Sequence, residues 1–569
     1  MLESFGTDRG RVCWWSGPLI YRTILLVALL TRLRPPDASG RCDLPFLPML
    51  IALGLTVSPL IAGLSFPDST FTDGARIAVL IAIVIIARPA AVTLRRDARQ
   101  GCTSDTTGDD APDGRISLRG HLSGIAAREE EAGCATIDPV RTFSITRLHR
   151  LASSRRWRVT RNGILAGIAG GAAASLYRFF IEEATRAALS GYSFLGRHWW
   201  ALFPWLVAAV IVSATVWLLL LREPQAAGSG IPQVKAYLIA RMGMRPTPVV
   251  ATRFLGGVGG ALFGLSLGRE GPSIHIGAAI AKLLARPLRA TSEEQDHLVT
   301  SGASAGLAAA FNAPVSGILF GIEGLHRSFS PLVIASASTG ALAAGAVSTL
   351  VFGPHPILQF GVVGTLGLSR LWMVMPLGVL AGLMGALVNR ILLASQSLAS
   401  LPGPAGILTA MVGALLAGCM LPQVLGGGEP LIGWAEQTAT GIGLVVLMLC
   451  AKTAFTAISF GSGIPGGIFM PILAIGTLTG TVYALVLQAW GAPRGDQAIL
   501  AVCGMAGLLA ASVRTPLTSI LLTAEMSGSL SHLLPVAVVV ILAVFTADAL
   551  RVPPIYDALL DRILASEEL

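Results

Sequence analysis

Glu270 is a lone carboxylate in a stretch apolar enough to lie in a membrane, set between Gly268-Arg269 and Gly271-Pro272. An ionisable group in hydrocarbon is costly, and it marks a functional site by default. Two small-residue phrases stand on either side of it in sequence. One is Gly228-Ser229-Gly230-Ile231-Pro232; the other is Gly461-Ser462-Gly463-Ile464-Pro465, which continues into Gly466-Gly467-Ile468-Phe469-Met470-Pro471. Backbone facing lipid cannot be irregular, because an unpaired N–H or C=O there finds no water to bond. Glycine and proline clusters among spanning helices therefore mark broken helices that line a cavity. The broken end of a helix presents free N–H groups at the positive end of its dipole, and these bind anions. The chemistry predicted is ion movement, with negative ions ahead of positive ones.

The whole chain fits that setting. Of its 569 residues, 53% are hydrophobic and only 13% charged, and the mean hydropathy is +0.70. Soluble proteins carry about 25% charged residues, so an all-α, multi-pass integral membrane protein is expected. The net charge of +9 reflects positive residues gathered near the N-terminus and at segment ends, which reads as membrane orientation and not as nucleic-acid binding. The seven cysteines are scattered and form no CxxC or Cys/His metal spacing, so neither a disulfide framework nor a metal is expected, and no cofactor is implied. Cys419, Cys450 and Cys503 sit in apolar segments and read as small buried hydrophobes. An intramembrane enzyme using Glu270 as acid or base would need a nucleophile or metal partner. No Ser/His/Asp arrangement or HExxH phrase supplies one.

Residues 1–146 read as an N-terminal extension. It has three apolar stretches, near Leu19–Leu30, Phe46–Leu64 and Ile77–Val92, followed by a polar linker from Arg95 to about Arg141. Two of the stretches fall short of the roughly 18 residues of a usual span. A basic cluster of Arg147, His149, Arg150, Arg155, Arg156, Arg158 and Arg161 then places this end at the cytoplasmic face. Residues 147–569 form the transmembrane domain. Its candidate helices are Gly163–Ile181, Trp199–Leu221, Val249–Leu267, Ile274–Leu284, Leu298–Leu325, Pro331–Phe352, Leu371–Leu393, Ala405–Leu421, Ile442–Ala454, Met470–Ala489, Ala498–Met526 and Leu533–Leu550. Several are too short or too rich in Gly and Pro to cross alone, so tilted and re-entrant helices are expected.

An internal repeat relates halves of about 160–350 and 370–550. Gly268-Arg269-Glu270-Gly271-Pro272 with Ile276-Gly277 aligns with Gly467-Ile468-Phe469-Met470-Pro471 with Ile475-Gly476. At nearly the same separation, Ala308-Ala309, Pro314, Ile318-Leu319 and Glu323 align with Ala510-Ala511, Pro516, Ile520-Leu521 and Glu525. A pseudo-two-fold transporter with its site at the repeat interface follows. The aligned prolines suit first turns of helices, so two helix N-termini point inward from opposite halves. The two Gly-Ser-Gly-Ile-Pro copies are separated by a different distance, so they are not repeat mates but distinct loops that could converge on one site.

Together Gly228–Pro232, Gly268–Pro272, Gly306–Glu323, Gly461–Pro471 and Tyr556 in Pro553-Pro554-Ile555-Tyr556 resemble the CLC family of chloride channels and proton-coupled chloride transporters. The resemblance covers about Arg147 to the C-terminus, and no nucleotide-binding CBS pair follows. It implies the CLC-type inverted repeat of tilted and re-entrant helices, and a homodimer with one pore per subunit. It implies that chloride is bound by the Ser229 hydroxyl, the Tyr556 phenol and the backbone N–H groups of Ile468 and Phe469. It makes Glu270 the gating and proton-accepting carboxylate, with Arg253 tuning the field from behind. The expected function is proton-coupled chloride exchange, with a passive chloride channel as the alternative; the partners are chloride, protons and the lipid bilayer. The Ala/Arg-rich composition points to a prokaryotic plasma (inner) membrane.

One departure bears on coupling. Many proton-coupled members carry a second glutamate immediately after the position matched by Glu323, and here that residue is Gly324. Proton supply would then use Glu323, His326 or water, or fail altogether. Plainer alternatives stand beside the other residues: Ser229 as a helix cap, Glu270 as a structural partner of Arg269 or Arg253, Tyr556 as an interfacial anchor, and His275 as a packed histidine. Glu323 and Glu525, being repeat mates, would also suit a shared structural role.

Overall fold

The computed structural model describes residues 155–358, 366–437 and 441–567. The N-terminal extension with its three apolar stretches and polar linker lies outside the described residues, as do the first residues of the basic cluster. Among the described residues the chain is helical, with a single isolated backbone bridge between Gly268 and Gly467.

The first half contains α1 (Arg155–Leu195), α2 (Leu202–Arg222), α3 (Ile231–Leu238), α4 (Pro246–Leu262), α5 (Glu270–Ala285), α6 (Ser292–Phe311), α7 (Pro314–Leu319), a π-helical turn (Phe320–His326) and α8 (Pro331–Phe352). The second contains α9 (Val374–Ser395), α10 (Ala405–Met420), α11 (Glu429–Gln437), α12 (Ile442–Gly461), α13 (Phe469–Ala489), α14 (Gln497–Val513), α15 (Pro516–Ser527) and α16 (Leu533–Ala549). A last helix, α17 (Ile555–Glu567), follows. Among the described residues, seven helical stretches are long and apolar enough to cross a membrane, including Trp157–Leu195, Pro331–Phe352 and Phe469–Ala489.

Two expected long helices are each broken in two, at equivalent places. The expected Leu298–Leu325 helix turns at Asn312 (φ 50°), and the expected Ala498–Met526 helix turns at Arg514 (φ 62°). Each turn is followed two residues later by a proline, Pro314 or Pro516, that opens the next helix. Proline fits an N-terminal turn because it has no N–H to leave unpaired. Apolar continuity hid the breaks, since neither turn carries a glycine.

Burial of the cysteines also differs from expectation. Cys503 is buried, but Cys419 and Cys450 lie on exposed faces of α10 and α12. Apolar sequence does not separate a lipid-facing position from a core one, because both solvents are hydrocarbon. Leu416, Met420 and Leu447 share those outward faces.

The repeat appears in the packing. Gly277 of α5 and Gly302 of α6 touch so closely that a Cβ on either would collide with the carbonyl of the other. Gly476 of α13 and Gly504 of α14 repeat that contact in the second half. The halves are also tied by two reciprocal caps. The Glu525 carboxylate of α15 accepts from the N–H groups of Val315 (3.0 Å) and Ser316 (2.7 Å) and from the Ser316 hydroxyl, at the start of α7. Glu323, just after α7, accepts from Leu517 N–H (3.1 Å), Thr518 N–H (2.8 Å) and the Thr518 hydroxyl (2.7 Å), at the start of α15. Each carboxylate fills the free amides and meets the positive dipole end of the other half's helix.

Candidate anion site at the repeat interface

The two Gly-Ser-Gly-Ile-Pro loops do converge, and they bond to each other. Gly228 N–H donates to the Gly463 carbonyl and Gly466 N–H to the Gly228 carbonyl, both at 3.1 Å. Their serines then part company. The Ser462 hydroxyl donates to Ser459 O (2.7 Å) at the end of α12, a local helix-end bond. The Ser229 hydroxyl is buried with no hydrogen-bond partner. It does not cap α3, whose N-cap is Gly230 in a left-handed conformation (φ 95°) without a side-chain bond.

Ser229 has two close neighbours. A Cβ added to Gly271 in the first turn of α5 would strike the Ser229 carbonyl and hydroxyl. The buried phenol of Tyr556 lies beside the same hydroxyl, close enough to interact with it, and neither group is bonded to any other side chain or to the backbone. Two hydroxyls buried side by side, bonded to nothing else, could both be directed at one acceptor. Tyr556 is 3% exposed, so it is no interfacial anchor. Its ring stacks on Phe469 (centroids 6.2 Å apart, planes 17° apart), and Phe320 and Phe311 close round the same ring at 5.7 and 6.1 Å. That aromatic clasp fixes Ile468, the N-cap of α13, and Phe469, its first residue. The first amides of a helix have no intrahelical acceptor.

Glu270 is the first residue of α5 and is fully buried. Its carboxylate folds back over Gly268 and lies near Gly467: a Cβ at Gly268 would overlap Oε2, and one at Gly467 would come within 3.3 Å of it. Those two glycines are the repeat mates joined by the backbone bridge, Gly268 N–H to Gly467 O and Gly467 N–H to Gly268 O, each 2.7 Å. The nearest amides are those of Glu270 and Met470, in the first turns of α5 and α13. Neither oxygen makes an aligned hydrogen bond, and neither candidate arginine pairs with it. A negative group thus rests where two helix N-termini converge.

Arg253 is fully buried and turned away from Glu270. It donates to the carbonyls of Gly228 (2.7 Å), Ala227 (3.2 Å) and Gln225 (3.3 Å), and to His275 Nδ1 (2.8 Å). It therefore shapes the loop that presents Ser229, with His275 as its fourth acceptor. Glu323 stands apart from this cluster, at the edge of an open cleft of about 400 Å3 with Arg327, Arg514 and Asp548. Gly324 also has a structural cause: a side chain there would run into the Phe320 ring, which buttresses Phe469.

Several contributors went unread in the sequence. Lys235 of α3 pairs with Asp557 of α17 at 2.5 Å, and Arg327 pairs with the same carboxylate, which ties the Ser229 helix to the Tyr556 helix. Lys452, fully buried in α12, donates to Val424 O (2.9 Å) and Gly426 O (2.7 Å). A lysine within an apolar helix was the available signal in that case.

The sequence profile of a family described as voltage gated chloride channel matches residues 210–548. The H(+)/Cl(-) exchange transporter ClcA of Klebsiella pneumoniae is 33% identical over 419 residues, which cover 71% of this chain and 88% of that protein. ClcA of Vibrio cholerae is 34% identical over 421 residues, 72% of this chain and 89% of that one. Among solved structures, a slow cyanobacterial Cl-/H+ antiporter superposes with a TM-score of 0.67 at 30% identity, covering 72% of this chain and 99% of its own.

Proposed function

We propose, for a chain that belongs to the voltage-gated chloride channel (CLC) family, that Glu270 is the single group through which protons and chloride are exchanged. The protein is a multi-pass membrane transporter that exchanges protons for chloride, in keeping with the transporters it resembles. The observation that carries the assignment to Glu270 is its carboxylate, fully buried against two helix N-termini with no cationic partner of its own. Ionised, that carboxylate is itself an anion in an anion site and excludes chloride. Protonated, it loses the attraction of both dipoles and can swing out, carrying its proton and admitting chloride. Chloride then meets the Ser229 hydroxyl, the Tyr556 phenol and the amides of Ile468 and Phe469. The site is built almost wholly from neutral donors, so it binds without holding the ion too tightly to leave.

The reading includes a homodimer with one pore per subunit in a bacterial inner membrane; the bacterial sources of the similar transporters support the membrane, and subunit counting in lipid particles tests the dimer. The direct test of exchange is a reversal-potential or pH-coupled flux measurement on the wild-type protein. Proton flux that follows the chloride gradient supports exchange. A zero proton component makes the protein a passive chloride channel, the reading that Gly324 favours by leaving no carboxyl beside Glu323.

Ser229→Ala tests the anion site. Removing one of two hydroxyl donors penalises the smaller, more strongly hydrated chloride more than nitrate. The chloride-over-nitrate ratio is expected to fall about tenfold, the effect of one hydrogen bond to a charged group. Selectivity unchanged in anion-substitution fluxes places the site elsewhere.

A further inference from the structure

Arg269, next to Glu270, sits between two carboxylates that the exchange cycle does not use. Its guanidinium reaches Glu182 of α1 at 2.8 Å and Glu429, the first residue of α11, at 2.7 Å; its Nε donates to Ala310 O at 3.2 Å. Glu182 is shared with Arg178 at 2.8 Å, and Arg178 lies 4.0 Å over the Phe352 ring. Glu429 is held in place by the turn before it, whose Val424 and Gly426 carbonyls are gripped by buried Lys452 and whose Gly426 N–H donates to Gly264 O (2.9 Å). Four charges thus run Arg178–Glu182–Arg269–Glu429, with Arg269 buried and the two acids 26% and 32% exposed.

These are the charges Glu270 feels. Arg269 and Glu429 are the ionised side chains acting most directly on its carboxyl, and Glu182 acts through its ion pair with Arg269. The other titratable groups near it are phenols, Tyr177 from α1 and Tyr556 from α17. Helix α13 offers amides, and Arg253 of α4 is turned to His275 and the loop carbonyls. Burial favours the neutral form of Glu270 and Arg269 favours the charged one, so with Arg269 uncompensated Glu270 would stay ionised and docked to lower pH.

We infer that Glu182 and Glu429 are positioning residues that offset Arg269 and so set the pH at which Glu270 releases its dock. The inference rests on the reading of Glu270 as the proton-carrying group. The sign follows from Coulomb's law. Removing one carboxylate charge leaves the surroundings of Glu270 more positive, so it stays ionised to lower pH. A unit charge taken at roughly 8 Å with an effective dielectric near 20 corresponds to a shift of about 1.5 pH units, and partial exposure of the acids reduces it toward half.

Glu429→Gln and Glu182→Gln keep an oxygen for Arg269 and change only the charge. Chloride efflux from proteoliposomes at symmetric pH is expected to rise toward acid in the wild type, and its midpoint is expected to move acid-ward by about 0.5–1 unit in Glu429→Gln and by less, in the same direction, in Glu182→Gln. Glu270→Gln, run alongside, is expected to give flux independent of pH. A flat Glu270→Gln profile with both other midpoints unmoved, or moved alkaline, overturns the inference and leaves the gate standing. A wild-type profile in Glu270→Gln removes the gate itself. Should Glu429→Gln fail to fold, Glu182→Gln carries the same sign and decides alone.

Discussion

Glu270→Ala is expected to reduce chloride-driven proton uptake to background while chloride flux persists and loses its dependence on pH. The variant removes the carboxyl that carries the proton and also the anion that competes with chloride between the first turns of α5 and α13. The fold should tolerate it, because neither Glu270 oxygen holds a hydrogen bond that the structure needs, and alanine is a good helix former at a first-turn position. The space over Gly268 and Gly467 then opens to water or to a second chloride. Both glycines lack the side chains that would fill it. The check is proton uptake into vesicles under an imposed chloride gradient, read beside chloride efflux from the same preparation. Uptake that continues in the variant assigns the proton to another group, with Glu323 and its open cleft next in line.

How much of this was legible in the sequence depends on whether the information was local. The glycine–proline phrases announced their broken helices, and the repeat placed Gly268 opposite Gly467, the pair the structure joins by backbone bonds. What the doubled phrase left open was the division of labour between its serines. Ser229 and Ser462 sit in identical pentapeptides, and only the neighbouring α12 carbonyls decide that Ser462 is occupied locally. The ion pairs were illegible for a simpler reason. Glu182 of α1, Arg269 just before α5 and Glu429 of α11 are far apart in sequence, and a pair formed across such distances leaves no periodicity to read. The breaks at Asn312 and Arg514 were missed because non-glycine residues took the left-handed turn. Their prolines, Pro314 and Pro516, are repeat mates suited to first turns of helices, yet the apolar runs through them read as single helices.

Those prolines sit at the ends where the heaviest structural penalty is expected. Glu525→Ala strips the α7 N-terminus of three bonds to one carboxylate, from the amides of Val315 and Ser316 and the Ser316 hydroxyl. A helix of six residues has no stability of its own to fall back on. Leaving two amides without acceptors in a dry place costs about 1–3 kcal/mol each, and the lost dipole contact adds to it, for a total of about 3–5 kcal/mol. That is a large share of the roughly 5–15 kcal/mol that holds a domain together, so a melting temperature in detergent lower by many degrees, with aggregation on size exclusion, is the expected result. Glu323→Ala should behave alike at the start of α15, since it makes the same three kinds of bond there. Glu323→Gln separates that structural role from proton relay. Glutamine still accepts through one oxygen, so a cap loses part of its stabilisation while the proton-to-chloride ratio holds. A relay loses the ratio while the melting temperature stays put. Because position 324 has no room for a carboxyl behind Phe320, the outcome decides whether any acid in this region hands protons toward Glu270, or whether water entering from the cleft beside Arg327 and Arg514 does so alone.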